Sequence, residues 1–188
     1  MIQIGETILD FTLDAYYKDE LTKIKLGDFR GKWLVILFYP ADFTFICPTE
    51  LESAEEFYPE FKKLGAEVIS ISTDTNYVHK AWHDHSPAIG KVTYPMLADP
   101  SGAVCRAFGT LIESEGLSRR ASFIVDPDGK LVAYEIHDNS IGRSIPEILR
   151  KTQAANYVRE HHGALVCPAS WQPGDKTLKP GIDLVGKI

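Results

Sequence analysis

Cysteine is scarce in this chain, and no two cysteines lie close together. The three, Cys47, Cys105 and Cys167, are spread over 188 residues. None is within three positions of another, which excludes a Cys-x-x-Cys redox pair and a zinc knuckle. No apolar run approaches the roughly 18 residues that cross a bilayer, so no membrane partner is expected. The opening segment, MIQIGETILDF, has neither a basic patch nor a long apolar core, so it does not read as a secretory signal. The cytoplasm is the expected compartment. Positive charge is in deficit: the net charge is −6 and the basic residues are scattered, so no nucleic-acid partner is expected. Internal repeats and low-complexity tracts are absent. What is present is ordinary for a folded domain, with 44% hydrophobic and 24% charged residues and enough length for a sizeable core.

The stretch from Trp33 to Leu64 carries the strongest pattern. Residues 33–39, WLVILFY, form a continuous apolar run between Gly31-Lys32 and Pro40, which fits a central strand buried on both faces. After a short turn, Leu51, Ala54, Phe57, Tyr58, Phe61 and Leu64 recur at helical spacing, and Gly65 lies past the end. Pro48 suits the first helical position. Thr49 and Glu52 also form a capping-box pattern that would start the helix two residues later. Pro59 is expected to kink this helix.

Further along, AEVISIST (66–73) reads as a second strand and residues 75–85 as a helix. Pro95-Met96-Leu97 reads as the start of a short strand. Residues 122–125 and 131–136 are joined by Asp126-Pro127-Asp128-Gly129, a turn that makes them an antiparallel hairpin. Residues 144–160 place Ile145, Ile148, Leu149, Thr152, Ala155 and Tyr157 on roughly one face, and Gly163 closes that helix. The rest is rich in Pro and Gly and has no durable period. This order predicts an α/β domain over 1–163, with a central mixed β-sheet flanked by helices, and an extended C-terminal arm over 164–188. A right-handed crossover would set the first two of these strands parallel and adjacent.

Cys47 falls where the central strand has turned into the helix. Unpaired N–H groups and the macrodipole at a helix start favour negative charge. A thiol held there loses its proton more readily, and the thiolate is the reactive form. The competing reading is a small buried hydrophobe. A strand-to-helix turn beyond the carboxyl end of a strand is where α/β sheets place chemistry, which favours the reactive reading. Thr44 can offer a hydroxyl to the sulfur or to a substrate oxygen, or can bond the backbone of its own turn. Pro40 ends the strand and stiffens the approach. Cys167 lies 120 residues after Cys47, and an oxidisable pair of the two could form within one chain or between two. Cys105 has no activating neighbour in sequence and reads as structural.

Pro40-Ala41-Asp42-Phe43-Thr44-Phe45-Ile46-Cys47 resembles the Pro-x-x-x-Thr-x-x-Cys signature of the peroxiredoxins. FYPADFTFICPTE and the tail LVCPASWQPGDKTLKPGIDLVGKI are similar to the typical two-cysteine class of that family. Phe108-Gly109, Gly116-Leu117 and Arg120-Ala121-Ser122-Phe123 extend the resemblance over essentially the whole chain. The resemblance implies a thioredoxin-like fold and a thiol peroxidase acting on hydrogen peroxide and organic hydroperoxides, with no metal, flavin or other cofactor. In that role Cys47 would be the peroxidatic cysteine, Thr44 would hydrogen-bond the peroxide and Pro40 would shield the pocket from water. Arg120 would be the active-site arginine, and Glu50 would belong to the network supporting it. Cys167 would be the resolving cysteine, forming an intersubunit disulfide with the partner chain. The family's threonine is replaced by Ser122, which keeps the hydroxyl.

The same resemblance implies a homodimer assembling into a decamer, a pentamer of dimers. It also implies a reductant that is either an NADH-dependent flavoprotein disulfide reductase or thioredoxin. Family members sensitive to overoxidation carry a Gly-Gly-Leu-Gly loop and a C-terminal Tyr-Phe. Here the loop is Glu115-Gly116-Leu117-Ser118 and the chain ends Leu-Val-Gly-Lys-Ile, so relative resistance is expected. His79 and His83 have i, i+4 spacing but no accompanying ligand, and a solvated helix face is the expectation. His161-His162 would complement a helix C-terminus. Phe38, Phe43, Phe45, Phe57 and Tyr58 are expected to form core and pocket wall.

Overall fold

The computed structural model describes residues 1–187, and the arm's last residue, Ile188, lies outside them. Contacts divide the chain into two compact units, Met1–Ile145 and Pro146–Ile188. The division falls earlier than the 163/164 boundary read from composition, because the last helix packs with the arm.

The first unit opens with strands β1 (Thr12–Tyr17) and β2 (Glu20–Lys25), an antiparallel hairpin in register from Thr12↔Lys25 to Tyr17↔Glu20. Its two-residue turn, Lys18-Asp19, has φ of 52° and 61°, the left-handed geometry that matches the twist of flanking strands. Strand β3 (Trp33–Phe38) follows, every residue buried. Helix α1 (Cys47–Lys63) runs on through Pro59 and packs against β4 (Ala66–Ser72). Helix α2 (Asn76–His85) is capped by the Thr75 side chain, which accepts from the Val78 N–H. Then come β5 (Met96–Ala98), α3 (Ala103–Phe108), the small hairpin of β6 (Leu111–Ile112) and β7 (Leu117–Ser118), β8 (Arg120–Val125) and β9 (Leu131–His137).

The main sheet has the order β2-β1-β5-β4-β3-β8-β9. β3, β4 and β5 are parallel, and the remaining pairs are antiparallel. The expected mixed sheet is therefore present, with β3 and β4 adjacent and parallel. Alternation along β3 sends Leu34, Ile36 and Phe38 into a core with Ile69, Ile71, Phe123 and the α3 residues Val104, Cys105 and Phe108. Phe38, Phe108 and Phe123 meet there with centroids 4.9–5.5 Å apart. The β1–β2 hairpin, α3 and the small β6–β7 hairpin went unread in the sequence.

The second unit comprises α4 (Ile145–Glu160) from Pro146 onward and the arm. The arm folds back on itself through a bridge between Val166 and Leu178. Trp171 is buried, its ring 5.1 Å from that of Tyr157, which also stacks on His161 at 4.1 Å. Among the described residues no helix is long and apolar enough to cross a membrane.

Candidate active site

β3 ends at Phe38 and the chain turns through residues 39–46 into α1. Cys47 is the first helical residue, and Ile46 is the N-cap. The later start offered by Thr49 is not used: the Thr49 hydroxyl instead donates to the Ile46 carbonyl at 2.7 Å. Thr49 and Glu50 N–H groups already reach Ile46 O, whereas the Cys47 N–H, the first of the helix, has no intrahelical partner and sits at the positive end of the helix. Phe43, in the middle of the turn, has φ of 55°, a strained value for a bulky residue that only the surroundings can hold.

Those surroundings include a buried polar cluster. Asp42 N–H donates to Asp74 Oδ2 at 2.9 Å. The Asp42 carboxylate receives the Tyr39 hydroxyl at 2.6 Å and contacts His79 Nδ1 at 2.7 Å. His79 Nε2 lies 3.1 Å from Leu97 O. Both ring nitrogens of His79 thus face acceptors. Burial, joined by the Asp42 charge, pushes the Tyr39 phenol well up, so it remains a donor. Burial also pushes Asp42 up, against the bonds from His79 and Tyr39 that pull it down.

The expected solvated face for His79 is therefore corrected, because the side chain is fully buried. It lies one turn from buried Trp82, and that face of α2 covers the turn. Among the described residues no group of three His, Cys, Asp or Glu side chains is placed to hold a metal. Phe43 and Phe45 also depart from expectation. They are 58% and 93% exposed rather than core, and Phe43 rests its ring against Trp82 at 6.0 Å.

Cys47 is fully buried, and Arg120 Nη1, at the start of β8, donates to its sulfur at 3.3 Å. The same nitrogen donates to Glu50 Oε2 at 2.6 Å. Glu50 lies one turn along α1 from Cys47, so one guanidinium spans both. Asn139 fixes the other side of Arg120: its carbonyl accepts from Nε at 2.9 Å, and its side-chain oxygen accepts from the Arg120 N–H at 3.1 Å.

Arg143 completes the network, giving Glu50 its backbone N–H, Nε and Nη2 at 2.8, 2.9 and 3.0 Å. Its Nη1 donates to Ala121 O. Burial alone would push Glu50 up, but Arg143 and Arg120 hold it below the ordinary carboxylate value. Burial works against Arg120 as well, and the Cys47 sulfur and Glu50 outweigh it, keeping the guanidinium above its usual value. Two cations around one carboxylate leave net positive charge beside the sulfur.

The structure thus brings together Cys47, Arg120 and Glu50. Pro40 is buried at the end of β3, and Thr44 is half-buried in the turn. The Thr44 hydroxyl donates to Ala41 O at 2.9 Å, leaving its oxygen lone pairs to accept a further bond. Cys167 lies in the second unit, half-exposed, with its sulfur 3.8 Å from Ala154 O. Arg143 and Asn139 were not found by sequence reasoning. They lie in the loop after β9, where no periodicity or spacing marks them, and only the return of that loop to Glu50 reveals them.

A buried sulfur at the mouth of an α/β strand-to-helix turn, facing a guanidinium held by a carboxylate, defines a thiol-based peroxidase of the peroxiredoxin class. The chain belongs to the AhpC/TSA family, whose model matches residues 4–134. It is 52% identical to alkyl hydroperoxide reductase C of Staphylococcus aureus over 190 aligned positions, covering 100% of both chains. Among solved structures, Enterococcus faecalis AhpC superposes with a TM-score of 0.86 at 49% identity, covering 89% of this chain and 100% of that one. A reduced 2-Cys peroxiredoxin from Plasmodium vivax gives 0.91 at 29% identity, covering 96% and 94%. These neighbours carry the thioredoxin-like fold.

Proposed function

We propose that this chain reduces hydrogen peroxide and organic hydroperoxides to water and alcohols through Cys47. The observation that carries this reading is the 3.3 Å contact between Arg120 Nη1 and the Cys47 sulfur in a site closed to bulk water. The thiolate attacks one peroxide oxygen, the O–O bond breaks, and the other oxygen leaves as hydroxide or alkoxide and takes a proton. Charge migrates from sulfur to the departing oxygen. Fixed donors along that line, Arg120 and the Cys47 N–H, stabilise it without reorganising. Thr44 accepts the peroxide O–H, and Pro40 keeps water from the sulfur. Glu50 and Arg143 hold Arg120 in place.

The product is a sulfenic acid on Cys47. Cys167 of the partner subunit then condenses with it, forming an intersubunit disulfide and releasing water. A fully buried Cys47 cannot meet a second sulfur at bonding distance, so the first turn of α1 opens for this step. The arm over 164–188 serves to deliver Cys167. Exposed Phe43, Phe45 and Tyr77, at 58%, 93% and 70%, support self-association of the active-site turn and α2, and the assembly is a homodimer built into a decamer. A flavoprotein disulfide reductase using NADH, or thioredoxin, returns the disulfide to thiols in the cytoplasm.

A non-reducing gel before and after one equivalent of peroxide tests this. A shift from the 21.0 kDa monomer to a covalent dimer, lost in Cys47→Ser and in Cys167→Ser, is expected. Peroxide consumption by Cys47→Ser at the wild-type rate would overturn it.

A further inference from the structure

The second unit holds a cationic clamp that the peroxide step does not use. Arg150, on α4, gives Nε and Nη2 to the two oxygens of Glu147 at 2.7 and 2.8 Å. Its remaining arm, Nη1, donates to Trp171 O at 2.8 Å. Every donor-bearing arm of the guanidinium is thereby fixed, and the fork is held rigid. Trp171 is itself anchored, its ring against Tyr157 and its Nε1 donating to Asp175 O at 3.2 Å. Trp171 lies four residues after Cys167, and the Cys167 sulfur rests over Ala154 O, one helical turn beyond Arg150 on α4. A surface arginine is usually mobile; this one ties the arm to the helix beside the resolving sulfur.

Resting on the proposed peroxidase chemistry, we infer that Arg150 is a positioning residue of the resolving step, docking the arm through Trp171 and presenting its charge to Cys167 as that sulfur ionises. In the step, the Cys167 thiolate attacks the sulfur of the Cys47 sulfenic acid. The S–S bond forms, the S–O bond breaks, and hydroxide leaves with the thiol's proton as water. Burial pushes the Cys167 thiol up, and the Arg150 charge pulls it back. Charged groups of this unit near the arm and α4 include Glu147, paired to Arg150; Lys151, 3.8 Å from Glu147; Glu160, which accepts from Asn156; His161, stacked on Tyr157; and Asp175, whose carboxylate takes the Gln172 N–H. Among the described residues, Arg150 is the charge that acts on Cys167.

Removing the charge has a signed consequence. A less acidic thiol has less thiolate at neutral pH, but that thiolate is a better nucleophile, with the gain scaling as about the 0.4–0.5 power. The net loss for a tenfold fall in thiolate is therefore about threefold at neutral pH, and it reverses to a gain of about threefold once both proteins are fully ionised, where only the better nucleophilicity remains.

The test is rapid mixing of the reduced full-length protein with one equivalent of hydrogen peroxide, followed by quenching and a non-reducing gel, across pH 6 to 10. Two phases are expected, a peroxide-dependent oxidation of Cys47 and a peroxide-independent disulfide formation. Arg150→Met leaves the first unchanged and slows the second by about threefold at neutral pH, the gap narrowing and then reversing as the pH rises through the thiol's ionisation. Arg150→Lys, which keeps the charge and loses the fork, retains the wild-type pH profile of the second phase. A second phase in Arg150→Met equal to wild type throughout, or slowed by the same factor at every pH, would overturn the inference. Absence of the first phase in the wild type would instead remove the peroxidase reading beneath it.

Discussion

Cys47 and Cys105 are both fully buried, and both sit on helices of the first unit. Their surroundings differ in sign. Cys47 is the first residue of its helix and receives a bond from Arg120 at 3.3 Å. Cys105 lies inside the short α3, next to Asp99, whose carboxylate takes the Cys105 N–H at 2.8 Å. Burial and then the Asp99 charge push the Cys105 thiol up to about 12. Burial alone therefore says nothing about which sulfur reacts. On the proposed chemistry, a cation and a helix start on one side, and a carboxylate inside a helix on the other, separate a nucleophilic sulfur from a packing one.

Cys47→Ser removes the contrast outright and is expected to reduce peroxide turnover to the uncatalysed background, read by loss of peroxide with a dithiol reductant. Arg120→Met makes Cys47 resemble Cys105, buried without its cation. The second-order rate with peroxide should fall on the order of 10²- to 10³-fold, the usual cost of removing one fixed donor from a transition state. A fall below about threefold would show that the helix start suffices without the guanidinium.

His79→Phe leaves Asp42 buried without its imidazole and should cost about 3–5 kcal/mol in urea unfolding; an unchanged midpoint would mean that the turn is held by other contacts. Glu67, at the start of β4, gives a smaller pH effect. Burial pushes it up, but bonds from Lys62, Lys32 and Tyr58 bring it from 4.5 to about 2. A depressed folded value stabilises above the ordinary one, so this contribution is complete above about pH 4.5 and is lost as the pH falls toward 2. Glu67→Gln should flatten acid unfolding in that window and leave stability at pH 7 to pH 5 without a slope of its own. The smallest effect belongs to Cys105→Ala, with an unchanged peroxide rate and a loss of about 1 kcal/mol from a missing buried atom.

Much of this was legible in the chain because the signals were local. The apolar run of β3, the Pro48 helix start and the Asp-Pro-Asp-Gly turn each declare an element within a few residues. Cys47, Thr44 and Pro40 lie on one such stretch. The β1–β2 hairpin was not legible, since Lys18-Asp19 fills two left-handed positions without the usual Gly or Asn. Helix α3 spans six residues, too few for a period, although the left-handed Gly102 and Gly109 that bracket it are a usable signal. His79 showed its helix but not its face; the i, i+3 relation to Trp82 points to burial. The Glu50–Arg143 contact joins residues 93 positions apart, a closure that only the fold supplies.

The most direct test is to place the oxygen. Cys167→Ser protein, treated with one equivalent of peroxide and a sulfenic-acid trap and then digested for mass spectrometry, should carry the adduct on Cys47 alone, with Cys105 still a thiol. An adduct on Cys105, or an equal division between the two, would contradict the claim that surrounding charge rather than burial selects the reactive sulfur.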